Sequence, residues 1–412
     1  MTSTLTYQQL SDAVRSTGVG LRSRIQLEPL GGAGDKIFPA SYAVADNALT
    51  KYAMEDRTDG DRTTKAVVLD SVAAQANRME LALLDAIRSG ELRLPVVEID
   101  FAASGLAEYS GLSTFEVPHR IYDAIMRDSI LDGSLFRLSD IGRSVTEASP
   151  RNAAALFRYS PHALLFGAWD STGPRGGRGS KFERAITSEI VGLDATLGVK
   201  TASRLDPLGI EKSAGPLFKA ADGDWTLDKD SSEKGELFSR KSGEGKAGDP
   251  SHANHGNVAP SIETKSGGVT VGRIVQTVVL SFVALRRLQF PTDSNGQILS
   301  GTSRSAAELS ARTAIAAMGV AATVLSFEAG HDLRSRCVLA PSSPLEFELI
   351  ERGRSTGELF EIDRAAAIDL VHQASERATA AGLSWLTEPL VLSPAPNLVA
   401  LVKKSKNLAA DE

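Results

Sequence analysis

Residues 21–28 alternate without a break, with Leu21, Ser23, Ile25 and Leu27 on one side and Arg22, Arg24, Gln26 and Glu28 on the other. A period of two puts successive side chains on opposite faces of an extended chain, so this segment reads as a half-buried strand with a charged outer face. It ends at Pro29 and a glycine-marked turn, Gly31-Gly32-Ala33-Gly34-Asp35-Lys36. A one-residue slip would turn every apolar side chain into water, so the strand's register is strongly specified.

Other segments change the period. Val68, Val72, Ala76, Met79, Leu83 and Ile87 recur at helical spacing, and Gly90 stands where such a helix would stop. Val96 to Ile99 reads as a short strand, and a helix is expected after Pro118 and in the first half of 151–166. Strand-like segments are expected around Ser203-Arg204-Leu205-Asp206-Pro207. The apolar run Ile274 to Phe290 reads as a buried helix, although its β-branched residues also suit a strand. A helix should cover Ala306 to Val324. Leu345, Phe347 and Leu349 alternate as a late strand, and Asp363 should cap a helix ending near Gly382. Strands and helices interleave, but no glycine-rich turn joins a strand to a helix with phosphate-binding spacing. An α+β fold, a split β-α-β core with large insertions, fits better than a regular doubly wound sheet.

Composition narrows the function classes. The 412 residues are 42% hydrophobic and 23% charged, enough for a substantial core, and the formal charge of −6 argues against a uniformly basic nucleic-acid coat. A local basic groove is still compatible with that total. The single cysteine, Cys337, has no internal partner for a disulfide, which suits a reducing cytosol. The first ten residues lack the basic-then-apolar order of a signal peptide. Ile274 to Leu285, interrupted by Gln276, is far shorter than the roughly 20 residues of a membrane span. A cytoplasmic protein without a membrane partner is expected.

No acid–base or metal cluster stands out. His252, His255 and Cys337 lack the paired spacing of a zinc site, so no metal and no cofactor are expected. There is no Gly-x-Ser-x-Gly elbow, and the paired carboxylates sit in no convincing acid–base context. Alternation in Arg334-Ser335-Arg336-Cys337-Val338-Leu339 points Cys337 and Leu339 inward and the two arginines outward. Cations recur instead beside loops. Gly31 to Lys36 is not a nucleotide loop, because its spacing is wrong and Asp35 opposes an anion; it is either plain turn chemistry or a turn placing Lys36 beside a polyanion. Gly173 to Lys181 sets Arg175, Arg178 and Lys181 among glycines, a composition shared by solvated loops and RNA-contacting loops. His119-Arg120 is either a polar pair at a helix start or a phosphate contact. Arg273, Arg286 and Arg287 flank the apolar run that follows the polar loop Ser251 to Asn257. Residues 228–250 are rich in Lys, Glu, Ser, Gly and Asp, which predicts an excursion rather than core.

Several segments taken in order resemble one family. They include Leu27-Glu28-Pro29-Leu30-Gly31-Gly32, Gly34-Asp35-Lys36-Ile37-Phe38-Pro39, Leu69-Asp70-Ser71-Val72 and Gln75-Ala76-Asn77-Arg78. Pro118-His119-Arg120, Ser203-Arg204-Leu205-Asp206-Pro207, His255-Gly256-Asn257, Gly267-Gly268-Val269-Thr270, Leu285-Arg286-Arg287 and Leu333-Arg334-Ser335-Arg336-Cys337 follow. The set resembles the CRISPR-associated RAMP backbone subunits of type I-U (I-G) effector complexes, Cas-seven-type proteins. The resemblance implies an RNA-recognition-motif (ferredoxin-like) palm over residues 21–400, between a polar segment 1–20 and a polar tail 401–412. It implies a helical fingers insertion over about 91–200 and a thumb hairpin over about 210–250. It further implies a non-enzymatic scaffold that polymerises along guide crRNA in Cascade beside other subunits and presents the guide to target DNA. The expected guide contacts are Lys36, Arg78, Arg120, Arg204, His255, Asn257, Arg273, Arg286, Arg334 and Arg336. The competing reading is a metal-dependent ribonuclease that processes CRISPR transcripts with His255 and a nearby acidic residue.

Overall fold

The computed structural model describes residues 3–173, 179–240, 245–354 and 357–410. The chain is a mixed α+β protein with several sheets. It divides into two compact units, one of Met1–Ala33, Val68–Leu193 and Gly272–Glu412, the other of Gly34–Val67 and Asp194–Val271.

The core of the first unit comprises β1 (Gly18–Pro29), α1 (Val72–Arg88), β2 (Ile186–Leu193), β3 (Arg273–Ser281), α2 (Gly301–Glu328) and β4 (Phe347–Glu351). The strands lie in the order β4-β1-β3-β2, every neighbouring pair antiparallel. In register, Leu27 faces Ile274 and Leu21 faces Leu280, while Gln276 faces Ile190. The alternation of residues 21–28 therefore continues across the sheet. Leu21, Ser23, Ile25 and Leu27 share a buried face with Ile274, Gln276, Val278 and Leu280. Both core helices pack there, with α2 also against a third helix, α3 (Arg364–Ala380).

The predicted cap at Asp363 forms, its Oδ1 accepting from the Ala366 amide at 2.8 Å at the start of α3; at the start of α1, Ser71 Oγ accepts from the Ala74 amide at 3.3 Å. Helix α2 is apolar almost all round because neighbours cover most of it; 78% of its most apolar window is buried inside the unit. Length and composition alone would let it cross a membrane, but this burial marks a core helix. Its small residues permit close approach: a Cβ added at Gly319 would lie 3.1 Å from Leu280 Cδ1.

The expectation of a buried helix over 274–290 is corrected. Residues 273–281 form the central strand β3, and only Phe282–Leu285 is helical, with Ser281 Oγ accepting from the Ala284 amide. The polar Gln276 sits in the inward row and the apolar Val275 and Val279 in the outward row, so the sequence masks the strand's alternation; its β-branched residues were the better guide. Gln276 is satisfied indoors. Its Nε2 donates to Gln75 Oε1 at 2.8 Å, and its Oε1 lies 2.9 Å from His331 Nε2. Ser188 donates to Gln75, which in turn donates to Asp70. These buried bonds tie α1, β2, β3 and the hairpin strand at 331 together.

The segment 91–193 is less helical than expected. It holds the short helices Asp140–Glu147, Ala154–Tyr159 and Pro161–Phe166, together with Val97–Ile99 in a small sheet that the late strand Leu390–Pro394 completes. A 3-10 turn, Arg120–Tyr122, and one helical turn, Ala124–Arg127, follow Pro118. Neither chain end is merely polar: Tyr7–Arg15 is a helix with a capping box that buries Leu10 and Val14, and Pro396–Ala410 is a helix.

Gly20 sits where β1 crosses β3 most closely; an added Cβ would stand 2.4 Å from the Leu280 carbonyl oxygen. We expect Gly20→Val to cost roughly 1–3 kcal/mol in urea unfolding, since paired backbone cannot give way. An unchanged midpoint would contradict this packing.

The second unit is made of short antiparallel pieces. Met54–Asp59 pairs with Arg62–Asp70, Lys200–Arg204 with Val258–Glu263, and Phe218–Ala220 with both Trp225–Thr226 and Ser232–Leu237. The polar stretch 228–250 thus contributes a strand, and Phe238 beside it is buried. Its backbone exchanges bonds with Leu217 and Gly248, which the low apolar content of the stretch did not indicate.

Candidate nucleic-acid interface

With both core helices on one face, the opposite face of the β4-β1-β3-β2 sheet is open. The odd-even rule puts Arg22, Arg24, Gln26 and Glu28 there, joined by Arg273, Thr277, Val279 and Glu189 from β3 and β2. Register pairs charges across it. Arg22 donates to Glu348 of β4 at 2.5 and 2.9 Å, the residue it faces in register. The described residues of this face in β1, β2 and β3 include no aromatic ring, so the face offers cations and hydroxyls rather than a stacking platform.

The hairpin formed by His331–Arg334 and Cys337–Pro341 extends one end of the same sheet, pairing with β1 at Leu27–Pro29. Cys337 and Leu339 point inward, as the alternation predicts, and burial pushes the Cys337 thiol up to about 11. Arg334 and Arg336 are exposed at the tip, with Arg336 at φ 62° in the tight turn. Arg78 fixes the hairpin from below. Its guanidinium donates to the Asp332 carbonyl at 3.0 Å, to the Leu333 carbonyl at 2.7 Å and to Asp70 Oδ2 at 2.9 Å. Arg78 is therefore a brace that presents Arg334 and Arg336, rather than itself facing out. His331 is held below its ordinary pKa by burial and by Arg78, which favours the neutral ring that bonds Gln276.

Two expected contacts lie elsewhere. Arg120 is buried, and its guanidinium grips Glu80 through both carboxylate oxygens at 2.6 and 2.7 Å and donates to the Gly167 carbonyl at 2.7 Å. Its expected surface role is corrected: Glu80, projecting from α1, draws it indoors. Arg286 donates to the carbonyls of Ala13, Val14 and Gly18 at 2.6–2.8 Å, closing the end of the helix Tyr7–Arg15. Its neighbour Arg287 is exposed and pairs with Glu183.

Four candidates belong to the second unit. Lys36 donates to the Val199 carbonyl at 2.5 Å and lies over the Phe38 ring. Arg204 donates to the carbonyls of His255 and Gly256, and Asn257 Oδ1 accepts from the Asp206 amide at 2.8 Å. The Gly256 and Leu208 amides donate to Asp206 and hold its carboxyl below the usual range. Arg204, His255 and Asn257 are thus brought together as two clamped loops beside a cavity of about 280 Å³. Trp225 packs edge-on against His255, a contact no sequence pattern announced. Arg175 and Arg178 lie outside the described residues, and Lys181 sits over Trp169.

The first unit is therefore an α+β protein with a helix-covered sheet whose open face and hairpin tip carry arginines. Residues 21–197 match the family described as CRISPR-associated protein GSU0053. That match supports a CRISPR-associated protein with a role in CRISPR defence. The matched span contains β1 from Leu21 onward, Lys36, Arg78 and Arg120; the other seven expected contacts lie outside it. No curated protein matches the chain.

Proposed function

We propose that this protein is a non-catalytic, guide-RNA-binding backbone subunit of a type I Cascade complex, of the Cas-seven-type RAMP family in its I-U (I-G) branch. The observation that carries the reading is the order β4-β1-β3-β2 with α1 and α2 on one face. That order supports reading the unit as a ferredoxin-like, RNA-recognition-motif palm, alongside the CRISPR family match. The open face and the hairpin tip supply cations, and the described face of β1, β2 and β3 carries no aromatic ring to stack on bases, which suits a protein that leaves sequence recognition to base pairing.

The second unit, which includes the expected thumb at 210–250, favours protein partners. Leu49 and Leu205 are 85% exposed, Leu208 79%, Ile262 70% and Leu227 62%. Exposed apolar side chains in this density suit burial against other chains. The partners proposed are further copies of this protein along crRNA and other Cascade subunits, with target DNA reached through the guide, in the cytoplasm.

Arg334→Glu with Arg336→Glu, co-expressed with a CRISPR array, tests the guide interface. Each lost phosphate contact should lower the salt slope of log K by about 1, so the double variant should lose about 2 and bind roughly tenfold to a hundredfold more weakly at moderate salt. Unchanged affinity and unchanged salt dependence would remove the hairpin from the interface. Labelled repeat RNA should stay intact with or without chelator; chelator-sensitive cleavage would favour a ribonuclease.

A further inference from the structure

The helical layer of the first unit holds an arginine-rich groove that the guide interface does not use. A cavity of about 810 Å³ opens between the helix Tyr7–Arg15, the start of α2 and the end of α3. Arg15, Arg286, Arg312 and Arg377 line it, with Glu308 as its one carboxylate. Glu308 is already shared, accepting from Arg312 at 2.8 Å and from Arg304 at 3.0 Å. Among the described residues, Arg15 pairs with the outward Asp12, at 3.6 Å. Arg377 lies over the Tyr7 ring, and Arg286 spends three bonds on backbone carbonyls, which bring no charge.

Two of these cations are fixed before any ligand arrives. Carbonyl bonds hold the Arg286 and Arg312 guanidiniums in place, so binding need not order them. Burial holds both below their ordinary pKa, helped at Arg286 by the neighbouring arginines and opposed at Arg312 by Glu308.

We infer that this groove binds phosphoryl groups. Several guanidiniums converging from three helices and a loop outnumber the carboxylates they meet, Glu308 in the lining and Asp12 beside Arg15. Their planar forks bond pairs of phosphate oxygens in parallel, and a multiply charged phosphate offsets more than one of them. The volume admits a diphosphate with the residue attached to it. The source is either a nucleic-acid strand or a free phosphorylated small molecule, and both present the same chemistry. This inference does not depend on the guide-binding reading, because it uses none of the hairpin arginines.

The probe is pyrophosphate, followed by isothermal calorimetry on the full chain. Arg15→Gln with Arg377→Gln removes two cations whose side chains donate no hydrogen bond to the backbone; Arg15→Lys with Arg377→Lys keeps the charge and controls for folding. Saturable binding by the parent chain is expected, at least tenfold weaker in the Gln pair and largely retained in the Lys pair and in Arg334→Glu with Arg336→Glu. Parallel loss of single-stranded RNA binding in the Gln pair would identify the source as nucleic acid. Intact RNA binding with pyrophosphate binding lost would identify a small phosphorylated ligand. No pyrophosphate binding, equal binding by the Gln pair, or tighter binding of poly-glutamate through the same arginines would overturn the inference.

Discussion

Arg120→Ala should destabilise the first unit by about 3–5 kcal/mol, because it leaves Glu80 buried without its counter-ion. The pair is almost wholly enclosed, at 7% and 3% side-chain exposure. Burial already pushes the Glu80 carboxyl up to about 7 even with Arg120 clamped on it. Without the guanidinium, Glu80 must either take up a proton or carry an unpaired charge in the core. Arg120 also holds the Gly167 carbonyl and sits at φ 53°, so its loss frees a turn that the bidentate pair constrains. Replacing both partners by Leu should recover most of the loss, since a packed apolar pair often costs no more than a buried ion pair. Urea unfolding monitored by circular dichroism reads both. If the single variant unfolds within about 1 kcal/mol of the parent, the pair is not the constraint described here. RNA retention per folded molecule should not change, which separates this arginine from Arg334 and Arg336.

The second large effect is on the acid side. His162 is fully enclosed and stacked on Phe115 at a centroid distance of 3.9 Å, with Nε2 3.3 Å from the Thr114 carbonyl. Its Nδ1 has no hydrogen-bond partner among the described residues. Burial, reinforced by the Arg120 charge, pushes the imidazole down to about 3. A depressed folded value means that the neutral ring stabilises the fold. That contribution is complete above the unfolded pKa near 6.5 and drains away as pH falls through 6.5 towards 3. The slope approaches about 1.4 kcal/mol per pH unit, for a total on the order of 4–5 kcal/mol.

Glu80 works in the opposite sense. Its raised value stabilises the fold below about pH 4.5, and that part is lost as pH rises through about 7. Comparing His162→Phe with the parent in the same buffers cancels that contribution. The difference in unfolding free energy between the two proteins should shift by several kcal/mol between pH 7 and pH 4, in favour of the Phe variant at low pH. Parallel pH curves would show that the ring is not held neutral by its surroundings.

Much of the local architecture was legible beforehand. The alternation of residues 21–28 named a strand and its charged face, and Asp363 marked a helix start. Cys337 pointed inward and its flanking arginines outward, as two-residue periodicity requires. The run 274–290 misled because Val275 and Val279 put apolar side chains on the open face as well, which blurs the two-residue period in the sequence. The resemblance implied the ferredoxin-like palm, but residue spacing alone could not place β3 between β1 and β2, since that order depends on pairings across more than two hundred residues.

What the amino-acid string determined by itself was therefore what neighbours along the chain decide: strand faces, caps, and which cations are present. Which of those cations face solvent was decided only by the folded chain. Arg120 meets a carboxylate forty positions away, Arg78 meets carbonyls more than two hundred and fifty positions away, and Arg286 meets carbonyls at the other end of the protein. A guanidinium goes where acceptors without water need its donors, and those acceptors arrive from distant parts of the chain.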